Sequence, residues 1–182
     1  MARIPSLTRD GLDPDAQAVW DQVVGSRGSV RGPMALLMHH PALAGHVAEL
    51  GSQLRFRGVL GGADRELAIL AAGREVEAVY EWAAHEPLGL QEGVRPEAIE
   101  ILRHQRPTAE LLPREALIVD TVRALYRDHR ISDELYARAE AELGRQALVE
   151  LVVLAGYYGL IGFVLNAFEA ELPAGATPAF ER

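Results

Sequence analysis

Residues 151–168 read LVVLAGYYGLIGFVLNAF, eighteen consecutive positions without a charged side chain. That length meets the minimum for a helix crossing a bilayer. It equally suits a helix that is apolar on all sides because other helices surround it. The second reading is favoured here: Glu150 and Glu169 bracket the stretch, Asn166 interrupts it, and Tyr157 and Tyr158 sit within it. We expect one long buried helix from about Arg145 to Glu169 and no membrane span. Gly156, Gly159 and Gly162 then mark close approach between helices.

Working outward, nearly every other segment carries helix signals. Asp13 and Pro14 read as N-cap and first helical position of LDPDAQAVWDQVV. RGPMALLMHHP predicts a short helix from about Pro33 that stops before Pro41, with His40 capping the next. PALAGHVAELGSQLRF places Leu43, Val47, Leu50 and Leu54 at helical spacing, and Gly58, Gly61 and Gly62 then mark a loop. ADRELAILAAGREVEA is apolar all round from Leu67 to Ala72, which suits a central helix. YEWAAHEPLGLQEG follows directly to Gly93, with Pro87 expected to kink or stop it. Pro96 opens a short helix, and PREALIVDTVRALYRDH buries Leu117, Val119, Val122 and Leu125. Ser132 caps SDELYARAEAEL, which ends at Gly144. No useful run alternates with period two, so strands are not expected. The expected fold is all-α with about eight helices in one domain over 1–182, residues 1–12 and 173–182 forming arms or flexible tails.

Composition removes several functions. The 182 residues include no cysteine, so disulfides, thiolate nucleophiles and cysteine-ligated metals are excluded. All 18 basic residues are arginine, so a Schiff-base or lysine general-base mechanism is excluded too. The formal net charge of −8, with no basic block, argues against nucleic acid as a partner. The first residues, MARIPSLTRDGLDPD, lack the apolar core of a signal peptide, and we expect a cytoplasmic protein.

Chemistry concentrates in YEWAAH, residues 80–85, where Glu81 precedes His85 by four positions. A helix stacks the two on one face. A carboxylate one turn away orients an imidazole and raises its pKa. The same spacing also occurs as a solvated surface pair worth about 0.3 kcal/mol, and both readings stand on spacing alone. Glu66, at the entrance of RELAILAA, is either a first-turn glutamate favoured by the helix dipole or a buried carboxylate that hands protons to His85. No metal site is expected: there is no HExxH, and the adjacent His39 and His40 point about 100° apart on a helix. Walker A, GxGxxG and GxSxG patterns are absent.

RELAIL followed by YEWAAHEPLGLQEGV resembles the carboxymuconolactone decarboxylase family, which includes the alkylhydroperoxidase D-type proteins. The resemblance extends to MHHPALAGHVAELGSQLR upstream and ELVVLAGYYGLIGFVLNAF downstream. It implies an all-helical fold of the alkylhydroperoxidase D-like type, assembled as homotrimers or hexamers with the site near subunit contacts. The peroxidase branch carries CxxC followed by a histidine, with an upstream glutamate relaying protons. These positions fall on Ala78, Glu81, His85 and Glu66, so thiol peroxidase chemistry is excluded here. The decarboxylase branch has an acidic residue four before the histidine, and GREVEAVYEWAAH is similar, with Glu81 and His85 matching. Tyr80 and Trp82 stand where smaller or aliphatic residues occur, and we expect both to line the substrate site.

The expected activity is that of a lyase or isomerase without metal or other cofactor, acting on a small carbonyl- or lactone-bearing acid. His85 would donate the proton, Glu81 would orient it, Glu66 would resupply it and Tyr80 would bind an enolate oxygen. The alternative is a catalytically silent oligomer that binds a small molecule.

Overall fold

The computed structural model describes residues 2–5, 7–173 and 175–181. Among these are nine α-helices and two short 3-10 turns, with no strand. The helices are α1 (Pro14–Arg27), α2 (Pro33–Leu37), α3 (Pro41–Phe56), α4 (Gly62–Glu75), α5 (Val79–Glu92), α6 (Pro96–Arg103), α7 (Pro113–Arg127), α8 (Asp133–Leu143) and α9 (Arg145–Ala167). The all-α expectation holds. The chain divides into two compact units, Met1–Gly58 with Phe163–Glu171, and Val59–Gly162 with Leu172–Arg182.

In the first unit, capping chemistry sets the boundaries. The Asp13 carboxylate accepts from the Ala16 N–H at 2.9 Å, and Pro14 occupies the first turn where no donor is needed. His40 Nδ1 accepts from the Leu43 N–H at 3.4 Å and so starts α3. The buried face of α3 is built of Ala44, Ala48, Gly51, Ser52 and Leu54, while Leu43 and Leu50 face outward. Small side chains let α1 pack closely, and Arg27 of α1 donates to the Ala48 carbonyl at 3.1 Å. Arg3 donates to the Phe168 and Ala167 carbonyls and pairs with Glu169 at 2.7 Å. The tails expected at 1–12 and 173–182 lie outside the described residues at Met1, Ser6, Ala174 and Arg182.

The second unit is organised around α4. Leu67 through Ala72 are all buried, because α5, α6 and α7 pack around this helix. Residues 76–78 turn the chain between α4 and α5, with Glu77 at φ 52°. The contacts of Gly73 with Glu81, and of Leu70 with Gly89, run in opposite order along the two helices, so α4 and α5 are antiparallel. Helix α5 continues through Pro87 to Glu92, so the proline does not stop it. Pro87 is exposed, and the carbonyl freed one turn earlier, at half-buried Ala83, is not sealed in the core.

Helix α9 is 23 residues long, and more than half of its most apolar window is buried by the protein itself. It is the one helix among the described residues long and apolar enough to cross a membrane. Glu150 accepts from the Val59 and Leu60 N–H groups at 2.8 and 3.0 Å, which uses the charge that brackets the apolar run. The glycine expectation holds at two of three positions. A Cβ on Gly159 would meet the Tyr126 hydroxyl, and one on Gly162 would meet Val76 and Ala78. Gly156 faces open space instead, on the exposed side of the helix.

Candidate functional site

The hairpin of α4 and α5 brings three ionisable side chains together in the second unit. Glu66 lies at the fifth position of α4, and Glu81 and His85 lie one turn apart on α5. Gly89 makes the approach possible: a Cβ there would lie 3.3 Å from Leu70 and 3.7 Å from the Glu66 Cβ. His85 Nδ1 is 2.7 Å from Glu66 Oε2, and His85 Nε2 is 3.2 Å from Glu81 Oε2. Each of the three residues is at most 5% exposed. Spacing alone left open whether Glu81 and His85 form a solvated pair; they form a buried one. Of the two readings of Glu66, the structure has the carboxylate packed against the next helix.

Each imidazole nitrogen thus faces a carboxylate oxygen. With both acids ionised, both bonds form only if the ring carries both protons, as imidazolium. Burial works against that charge, but the hydrogen bonds to Glu66 and Glu81, and their negative charges, outweigh it and raise the His85 pKa. Arg65 extends the row, with its Nε 3.3 Å from Glu66 Oε1 and an Nη 3.5 Å from Glu92. The sequence along the row is therefore guanidinium, carboxylate, imidazolium, carboxylate.

An aromatic wall completes the surroundings. The Tyr158 ring of α9 meets the His85 ring edge to face, with centroids 5.2 Å apart, and Tyr157 packs on Tyr158 in the same manner at 5.3 Å. Neither Tyr158 nor Arg65 is marked by the sequence. They lie 73 positions downstream and 20 upstream of His85, and only the tertiary fold joins them to it. The signal at 157–158 is a pair of phenols within a mostly apolar helix.

The two aromatic residues flanking Glu81 are placed differently. Trp82 is fully buried, donates from Nε1 to Glu86 at 2.7 Å, and lies 5.3 Å below the Arg103 guanidinium. Phe180 meets its ring edge to face at 5.5 Å and is itself covered by Arg74 at 4.2 Å. Arg103 also pairs with Glu86. Trp82 therefore turns its indole to Glu86, Arg103 and Phe180, whereas Tyr158 is the ring against His85. Tyr80 is half-buried in the first turn of α5. Among the described residues, no three His, Asp or Glu side chains are placed so that together they could hold a metal ion.

Residues 41–119 match the carboxymuconolactone decarboxylase family, a span that includes Glu66, Glu81 and His85. The alkylhydroperoxidase AhpD core from Ralstonia eutropha JMP134, an uncharacterized peroxidase-related protein, superposes with a TM-score of 0.79 at 17% identity, over 95% of this chain and 93% of that one. An uncharacterized peroxidase-related protein from Silicibacter sp. TM1040 gives 0.76 at 15% identity, over 95% and 92%. At these identities the likeness is one of fold. No functionally curated protein is significantly similar in sequence. Residues 41–119 thus carry the match to the carboxymuconolactone decarboxylase family, and the chain, which holds no cysteine, has the all-helical fold of the alkylhydroperoxidase AhpD core.

Proposed function

We propose that the chain is an acid–base enzyme, a lyase or isomerase acting without metal or other cofactor on a small carbonyl- or lactone-bearing acid. The observation that carries this reading is the buried imidazole with a carboxylate on each nitrogen. Such a group holds a proton ready for transfer in a site screened from water, where electrostatic effects are strong. In a decarboxylation, the bond from carbon to the departing carboxylate breaks, and its electron pair moves into the conjugated carbonyl. Carbon dioxide leaves, and the resulting enolate takes a proton at carbon from His85 Nε2. We exchange the roles expected of the two acids from the sequence: Glu66, through the shorter bond of 2.7 Å, anchors the ring. Glu81, through the longer bond of 3.2 Å, is the partner that a substrate oxygen exchanges with and the route by which the proton returns. Tyr80 remains assigned to the substrate side of α5; Trp82, its indole turned to Glu86, Arg103 and Phe180, is assigned to shaping the pocket rather than to direct contact with substrate. The sequence holds no cysteine, so peroxide reduction through a thiol is excluded.

The test is a panel of lactones and β-keto acids, assayed for carbon dioxide release or absorbance change with wild type and His85→Ala. Turnover that depends on His85 supports the reading; equal turnover in the variant removes it. A second reading, a silent binder, is favoured by one feature: both nitrogens of His85 are already satisfied internally. Saturable binding without product across the panel would support that reading.

We also propose that the chain is a soluble homo-oligomer, a trimer or hexamer. Val149, Val152, Val153 and Leu160 form an exposed apolar stripe on α9 within the second unit, a surface that association would cover. Light scattering should report more than one chain per particle, and Val153→Glu should lower that number.

A further inference from the structure

We propose that Arg65 is a positioning residue that fixes the proton count of the buried row, so that Glu66 and Glu81 both stay ionised around a charged His85. The inference rests on the acid–base reading for what the charge state is used for, but the charge state itself exists without substrate.

Two carboxylates and one imidazolium sum to one surplus negative charge. In a site at most 5% exposed, that surplus is costly to keep. A row of this kind sheds it by binding a proton on one carboxyl, unless a cation lies alongside. Arg65 is that cation, and it approaches Glu66 Oε1, the oxygen His85 does not use. A guanidinium holds its charge at every physiological pH, so it is a fixed counter-charge rather than another proton carrier.

From α4 the row is faced by Arg65 and Glu66; from α5 by Glu81 and, through Arg65, by Glu92; from α9 by the Tyr158 ring. Glu92 is half-exposed and competes for the same guanidinium at 3.5 Å. It therefore sets how much of the Arg65 charge reaches Glu66. The functional consequence is directional. A neutral carboxylic acid at Glu66 or Glu81 would replace a charged hydrogen-bond acceptor of His85 by a weaker neutral one and loosen its hold on the ring proton.

Infrared difference spectroscopy of the full chain, without substrate, reads this directly, because a protonated carboxyl has a C=O stretch distinct from that of a carboxylate. Wild type at neutral pH should show no buried carboxylic acid. Arg65→Gln should gain the band of one protonated carboxyl per chain. That band should vanish when Glu66 or Glu81, whichever carries the proton, is also changed to Gln. Arg65→Lys should look like wild type. Glu92→Gln should delay protonation of the row to lower pH than in wild type. An Arg65→Gln spectrum identical to wild type at neutral pH overturns the proposal. Where Arg65→Gln fails to fold, Glu92→Gln decides: an onset unmoved or moved to higher pH overturns it. Failure of every substrate with these bands behaving as stated would count against the proposed reaction and leave the role of Arg65 standing.

Discussion

Two carboxylates of α4 are buried with cations against them, Glu66 near its start and Glu75 at its end, and their partners differ in kind. Glu66 meets the His85 imidazole at 2.7 Å. Glu75 meets the Arg127 guanidinium through two bonds of 2.7 and 2.5 Å, with Arg123 Nε 3.6 Å away. Arg123 in turn donates to the Arg106 carbonyl at 2.8 Å. Nearby, burial and the Glu75 charge push the Tyr126 hydroxyl up to about 12. The cations of the Glu75 cluster are guanidiniums, which keep their charge near neutral pH. The Glu66 cluster contains the one side-chain type that ordinarily titrates there. Burying an ion pair does not make a site; on the proposed reading, burying a titratable one between two acids makes a proton store.

The largest expected effect separates the clusters by function. His85→Ala should lower turnover by about 10²- to 10⁴-fold, while Glu75→Gln should leave it nearly unchanged; steady-state kinetics on any substrate from the panel decides. A stability comparison reverses the order. Glu75→Gln leaves the buried Arg123 without its acid and should cost about 3 kcal/mol. Glu66→Gln should cost about 1 kcal/mol, because His85 can release its proton where Arg123 cannot. Urea unfolding of the two variants measures both.

The pH dependence sharpens the contrast further. The His85 pKa is raised by its carboxylates against the opposing effect of burial. A raised cationic group stabilises the fold fully below its unfolded value of about 6.5, and that contribution is lost as pH rises through the folded value. The difference in melting temperature between wild type and His85→Gln should therefore shrink as pH rises above neutral. The smallest effect is expected at Gly89, where an added methyl would lie 3.3 Å from Leu70. Gly89→Ala should cost about 1 kcal/mol and weaken the Glu66–His85 bond, visible as a shifted His85 ring resonance.

How much of this was legible in the sequence follows from the range of each interaction. Helix boundaries rest on local chemistry, and Asp13, His40 and Ser132 act as the caps their positions imply. The Glu81–His85 pair is local as well, one turn of helix apart. The contact of Glu66 with His85 spans 19 positions, and sequence alone left it beside a simple first-turn role. Arg65 and Tyr158 carried no periodic signal at all. Trp82 adjoins Glu81 in sequence, but successive helical side chains diverge by about 100°, and its indole meets Glu86 instead. In α9 the apolar residues run all the way round, so no period distinguishes the covered face from the exposed one. Gly156 was therefore indistinguishable from Gly159 and Gly162 until the helix had neighbours.

Nitrogen-resolved NMR of the histidine rings, followed from acid to alkaline pH in the substrate-free protein, tests the buried proton store most directly. We expect one ring, removed by His85→Gln, to keep hydrogen on both nitrogens at a pH above the ordinary histidine value, with slow exchange against water. Six rings titrating together near the ordinary histidine value would contradict it.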